Sequence, residues 1–216
     1  MLRFVVALQA EARPLVERFG MVAVSESPFP VYRGDEGWLI VSGQGKAASA
    51  AATAYLHLAA GGALGRAWLN VGLGGHGQRT LGEGVLAHKI TDAASGASWY
   101  PQLVDDVPCP TVPVLTVERV EEEYSEPWVY ESEAAGFFPI ACRFSVAELV
   151  HAYKVISDNP DATLSRRMSS VAVEELIDGN LGRIETVARA LAALAGELAM
   201  LAALPPRLPL VRSRRR

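Results

Sequence analysis

Cysteine is scarce, with only Cys109 and Cys142 in 216 residues, and the two have no metal-type spacing. That points to a reducing compartment and leaves both thiols as small core or surface residues. Long apolar runs are missing too. The nearest candidate for a membrane span, residues 187–204, is interrupted by Arg189, Gly196 and Glu197. The amino-terminal MLRFVVALQAEARP meets Glu11 and Arg13 as soon as its apolar part ends, so it reads as a buried first strand and not as a secretory signal. Positive charge is not in excess: the formal net charge is −4, which removes any global case for nucleic acid. Together these absences describe a cytoplasmic protein without nucleic-acid or membrane partners. Nucleotide signatures are lacking as well. GLGG (72–75) does not have the spacing of a dinucleotide fingerprint, and SGQGK (42–46) is no Walker sequence.

What is present is a core. Half of the residues are hydrophobic, enough for one well-filled domain, expected over residues 1–204. The basic residues gather in PPRLPLVRSRRR (205–216). Three prolines and five arginines in twelve residues argue for a loose, solvated tail rather than a contact with an acidic partner. LRFVVAL (2–8) is a continuous apolar run, as in a strand covered on both faces. A helical segment ending at Gly20 follows, then a hairpin in VYRGDEGWLIVSG and an alanine-rich helix closed by glycines. RAWLNVGLGG, GVLAHKITDAAS, TVPVLTV, WVYES and the alternating ELVHAYKVIS read as strands. EAAGFFPIACRF begins as a helix that Pro139 must join early or kink, and two helices close the chain. The pattern predicts a single-domain α/β fold with a mixed, largely parallel central sheet.

In open α/β sheets, ligands bind beyond the carboxyl ends of the strands. The polar residues expected there are Glu11, the SGQGK loop with Gly43, GLGG with Leu73, Gly74 and Gly75, ESE (131–133), and Ser157 with Asp158. Each has a plainer reading. Glu11 suits the first turn of a helix, where the dipole favours acid. Ser157 and Asp158 suit a turn leading to Pro160. The acidic VERVEEEYSEP (117–127) reads equally as a loop near an opening or a solvated turn. Of the histidines, His57 is expected to be structural, His88 and His151 to pack in strands, and His76 to reach toward a ligand. No pair has a third ligand, so neither a metal nor a cofactor is expected.

The order along the chain is more specific than its parts. ALQAEARPL, SGQGKAASA, LNVGLGGHG with LGEGV, VYESEAAGF and KVISDN resemble the purine nucleoside phosphorylase and 5′-methylthioadenosine/S-adenosylhomocysteine nucleosidase superfamily. The match runs from about residue 5 to residue 160. The resemblance implies a barrel-like sheet, cleavage of an N-glycosidic bond in a purine-type nucleoside, and a homo-oligomer with a dimer favoured. It makes Asp158 the acid that protonates the base, Glu133 the ligand of the ribose hydroxyls and Glu11 the group that positions water. It puts Ser132 and Lys154 beside the substrate and the segment from Val117 onward at the base pocket. Glu131 is left to support or rim. Three departures stand out: Leu73 where a small hydroxyl residue is usual, Lys154 where arginine is usual, and Ser132 where methionine is usual. Water is favoured over phosphate as the acceptor, because phosphate needs converging cations and only Arg13, Lys46 and Lys154 offer themselves. A phosphate-dependent phosphorylase and a non-catalytic nucleoside binder are the alternatives.

Overall fold

The computed structural model describes residues 1–103, 108–119, 123–160 and 168–203; the basic tail at 205–216 and residues 120–122 of the acidic segment lie outside them. The first apolar run forms β1 (Leu2–Val6), all five residues buried. β4 (Gly37–Val41) and β5 (Ala67–Gly75) flank it in parallel, which is why the run shows no polar alternation. β3 (Val31–Arg33) makes the expected hairpin with β4, and β2 (Val22–Ala23) adds to its far edge.

The sheet closes on itself at the other end. β5 pairs in parallel with β10 (Val150–Asp158), and β10 pairs antiparallel with β6 (Gly84–Asp92). β6 runs parallel to β8 (Thr111–Thr116), and β8 to β9 (Val129–Glu131). β9 returns to β5 at Gly75↔Tyr130, completing a five-stranded barrel. The short β7 (Ser98–Trp99) hangs on β6. Among the described residues five of ten strand pairings are parallel. Parallel pairing thus dominates the centre, while hairpins and barrel seams are antiparallel. β10 departs from its apparent alternation, because eight of its nine residues are buried. It lies between β5 and β6, so its polar residues face protein on either side.

Successive strand residues enter two different cores, as the two-residue period requires. Phe4, Leu39 and Leu69 pack under α1 (Gln9–Arg18) and α5 (Leu181–Ala202), with α4 (Ser170–Asp178) beside them. Val5, Ile40 and Trp68 face the other side, with α2 (Lys46–Ala59) and α3 (Ala134–Ala141). Pro139 lies inside α3, which ends two residues later. No helix among the described residues is long and apolar enough to cross a membrane.

The small residues that open α3 serve an approach to α2. A Cβ built on Gly136 would lie 2.0 Å from the Lys46 carbonyl oxygen, and a backbone atom cannot yield as a side chain can. Gly136→Ala should therefore push α3 off α2 and lower stability by about 1–3 kcal/mol, the usual penalty for overpacking. A urea melt monitored by circular dichroism measures it; an unchanged midpoint would mean the helices part freely.

Candidate active site

β1, β4, β5 and β10 run parallel, so their carboxyl ends lie on one side of the sheet, and β9 meets the end of β5 there. A cavity of about 460 Å³ opens at this edge. Of the residues expected from sequence, Leu73, Gly74, Gly75, Val117, Ser132, Ser157 and Asp158 line it. Gly43, Glu11, Glu133 and Lys154 do not; the three charged ones are buried.

Glu11 combines its two readings. It is in the first turn of α1, and its Oε2 accepts the N–H groups of Ala7 (2.8 Å) and Leu8 (2.9 Å), donors that a helix start leaves unpaired. Its Oε1 reaches across to the N–H of Leu73 at 3.3 Å. Burial pushes its pKa up to about 7, against the pull of the Leu8 and Ala7 N–H groups and of Lys154, with the charge of Glu133 adding to the rise. Gly72 makes room for this pairing, since a Cβ there would stand 3.3 Å from Glu11 Oε1 and 3.5 Å from Lys154 Nζ.

Beside Glu11 is a buried knot of charge. Lys154 and Glu131 have fully buried side chains, with Nζ 2.7 Å from Oε2. The contact is one of opposite charge; it does not have the directionality of a hydrogen bond. Burial pulls the Lys154 pKa down, but Glu131, Glu133 and Glu11 outweigh it and hold the ammonium above its ordinary value. Lys154 is therefore a buried counter-charge within the fold, outside the lining of the cavity. Glu131 also accepts the Thr116 hydroxyl (2.5 Å) and the N–H groups of Glu133 (3.0 Å) and Ala134 (2.9 Å). It ties the end of β9 to the start of α3 and also lines the cavity. Glu133, at the amino-terminal cap of α3, turns Oε1 to the Gly45 N–H (2.9 Å) and the Ser132 hydroxyl (2.7 Å). Gly45 presents that N–H at φ 96°, ψ 155°, a conformation that belongs to glycine. Glu133 Oε2 accepts no hydrogen bond among the described residues.

Asp158 ends β10, where the register slips between Ile156 and Asp158. Its Oδ1 accepts the Ser157 hydroxyl at 2.5 Å and its Oδ2 the Tyr124 phenol. Burial raises its pKa. Tyr124 is the site residue the sequence did not announce. The available signal was a lone aromatic in an acidic stretch. Gly75 exists to let it pass: a Cβ there would meet Tyr124 Oη at 2.5 Å and Asp158 Oδ2 at 2.6 Å. At Gly74 a Cβ would meet Val129 Cγ1 at 2.5 Å, so the glycine pair lets β9 and the phenol close over the strand end.

This arrangement can be compared with known proteins. No protein-family model and no curated sequence matches the chain. Solved structures do. The 5′-methylthioadenosine nucleosidase of Arabidopsis thaliana, in apo form, superimposes with a TM-score of 0.70 at 14% identity, over 88% of this chain and 95% of that one. Native futalosine hydrolase of Helicobacter pylori gives 0.65 at 14%, covering 85% and 95%. An MTA/SAH nucleosidase gives 0.64 at 16%, covering 93% of each chain. The fold is that of the nucleosidases.

Within this nucleosidase fold the remaining polar residues fall into place. Lys46 is held by Asp92 (2.7 Å) and Glu118 (3.3 Å), and Arg13 by Glu174 (2.6 Å). His76 is buried outside the cavity lining; its Nδ1 accepts the N–H groups of Gln78 and Arg79, so it braces the turn after β5 instead of reaching a ligand. Burial lowers its pKa, aided by Arg79. His57 stacks on Phe144 with centroids 3.8 Å apart, and its Nδ1 lies 3.0 Å from Arg3. His151 packs in β10, whereas His88 is exposed beside Thr111, contrary to expectation. Burial pushes both cysteine thiols up to about 11. Among the described residues no three His, Cys, Asp or Glu side chains are grouped as metal ligands.

Proposed function

We propose that this protein hydrolyses the N-glycosidic bond of a purine-type nucleoside. The observation that carries the reading is one glycine-floored strand end flanked by two carboxyl groups, Glu11 buried and Asp158 partly buried. Glu11 lies against Gly72 and Asp158 against Gly75, three residues along β5 and so roughly 10 Å of strand apart. Breaking the bond builds positive charge on the sugar and negative charge on the leaving base. Asp158 gives its proton to the base, at N7 of a purine. Glu11 takes a proton from the attacking water. Glu133, whose Oε2 accepts no hydrogen bond among the described residues, accepts ribose hydroxyls, and its charge favours the cationic sugar.

Water is preferred to phosphate because the three cations expected from the sequence are committed, which leaves Arg119 as the cation that lines the cavity. Lys46, Arg13 and Lys154 each already face a carboxylate at 2.7 Å or less, and Lys154 is fully buried. Phosphate would also have to lie beside Glu11. The test is a nucleoside panel, with and without phosphate, assayed for free base and reducing sugar. Base released without phosphate is the expected result, and strict phosphate dependence overturns it.

A pH profile checks the same assignment. Glu11 must be ionised to accept the water proton, so the rate should climb as pH rises through about 7, the value to which burial lifts it. Asp158 must be protonated to act, and burial shifts it toward that form, so its ionisation opposes that rise. A profile that Glu11→Gln leaves unaltered near pH 7 would remove Glu11 from the proton transfer.

A further inference from the structure

Tyr124 sits where the reaction needs an opening. Its phenol occupies Asp158 Oδ2, and Ser157 occupies Oδ1. If Asp158 is ionised, Oδ2 accepts from the phenol; if it is protonated there, its one O–H points at the phenol oxygen. In either state the oxygen that a base nitrogen would approach is already engaged.

The surroundings show how this contact is held. Tyr124 is 8% exposed, while Glu123, Ser125, Glu126 and Pro127 around it are exposed. Tyr124 is thus the buried side chain of this stretch, which is also tied by the Glu126 N–H to the Tyr130 hydroxyl at 3.1 Å. The anchoring backbone is strained, with φ +43° at a bulky residue. The ring meets Tyr130 edge-on at 5.6 Å, and its own main chain lies so close to Gly77 that a Cβ there would stand 3.0 Å from the Tyr124 carbonyl oxygen. A stretch with mostly exposed side chains and a strained backbone belongs to the low-stability end of a fold, where local opening occurs. Tyr124, Tyr130 and Asp158 all line the cavity, so a base that enters it meets the phenol beside the acid.

We propose that Tyr124 is a cap on the general acid, displaced by the base of the substrate, and so a specificity-determining residue of this site. The inference rests on the hydrolase reading for the role of Asp158. The ligand that lifts the cap is a flat heteroaromatic base with a nitrogen lone pair, which replaces the phenol on Oδ2. A base without such an acceptor leaves the cap in place. The capped form lowers apparent affinity by the fraction of time the acid is open.

Two variants test it. Tyr124→Phe keeps the ring and removes the hydroxyl. Gly77→Ala pushes on the Tyr124 backbone without touching Asp158. Both should bind adenine or hypoxanthine about tenfold more tightly by calorimetry, the worth of one hydrogen bond to a charged group. Both should lower KM for a nucleoside with kcat held, since only the free enzyme is capped. Weaker purine binding by Tyr124→Phe would make the phenol a ligand contact and overturn the cap. Unchanged affinity with a lowered melting temperature would make it structural and overturn it equally. Purine binding is read without turnover. A wild-type protein that binds adenine but releases no base from any nucleoside sinks the hydrolase reading alone; one that binds no purine in wild-type or variant form sinks both.

Discussion

Asp158→Asn should cut base release by about 10²–10⁴-fold, the usual contribution of a positioned general acid. The substitution is close to isosteric. The Asn carbonyl oxygen still accepts from Ser157 or Tyr124, as the carboxylate does. What is lost is the transferable proton: an amide N–H donates a hydrogen bond but does not dissociate. The loss should fall on kcat, and purine affinity should stay near wild type. Because burial disfavours the ionised form of Asp158, its neutral replacement should not lower the melting temperature. A riboside with 4-nitrophenolate as leaving group separates chemistry from damage. That anion departs without a proton, so Asp158→Asn should keep far more of its activity on it than on a purine nucleoside. Equal losses on both substrates would take the acid role away from Asp158.

The parts of this site that were legible in the sequence are those set by local pattern. Glu11 and Asp158 follow apolar runs, and a residue that follows a buried strand lies at a sheet edge whatever the rest of the chain does. The glycines of GLGG were legible as a turn or a close approach, though not what approaches. The illegible parts depend on pairings between distant segments. Tyr124 meets Asp158 across 34 residues, and no periodicity marks an acidic stretch as returning to a strand end. The resemblance separated Glu131 from Glu133, but no pattern along the chain showed the partners of either. Their difference arises from a turn: Glu131 ends β9 and faces Lys154 and Thr116, while Glu133 caps α3 and faces Gly45. Ser132 donates to Glu133, so its hydroxyl shares the oxygen that Gly45 also uses. The surroundings of Lys154 were illegible for a related reason. Its strand alternates in sequence, yet eight of its nine residues are buried and Lys154 faces Glu131 as a counter-ion.

That counter-ion supports the second large effect. Lys154→Met should lower stability by about 3–5 kcal/mol, because it strands the buried Glu131 carboxylate without its counter-charge. Methionine fills much of the same volume, so packing contributes little to the loss. Glu131 would keep its hydrogen bonds from Thr116 and from the Glu133 and Ala134 N–H groups but lose its only cation among the described residues. Glu11 and Glu133, whose charges also hold Lys154 protonated, would then face an uncompensated third carboxylate. The double variant Lys154→Met, Glu131→Gln removes both charges. The amide oxygen of glutamine still accepts from the α3 N–H groups, so this variant should regain most of the lost stability. Urea denaturation of the two single variants and the double variant gives the coupling directly. A Lys154→Met protein as stable as wild type would show that Glu131 does not depend on the ammonium. If the double variant is as unstable as the single, the loss lies in packing along β10 and not in stranded charge.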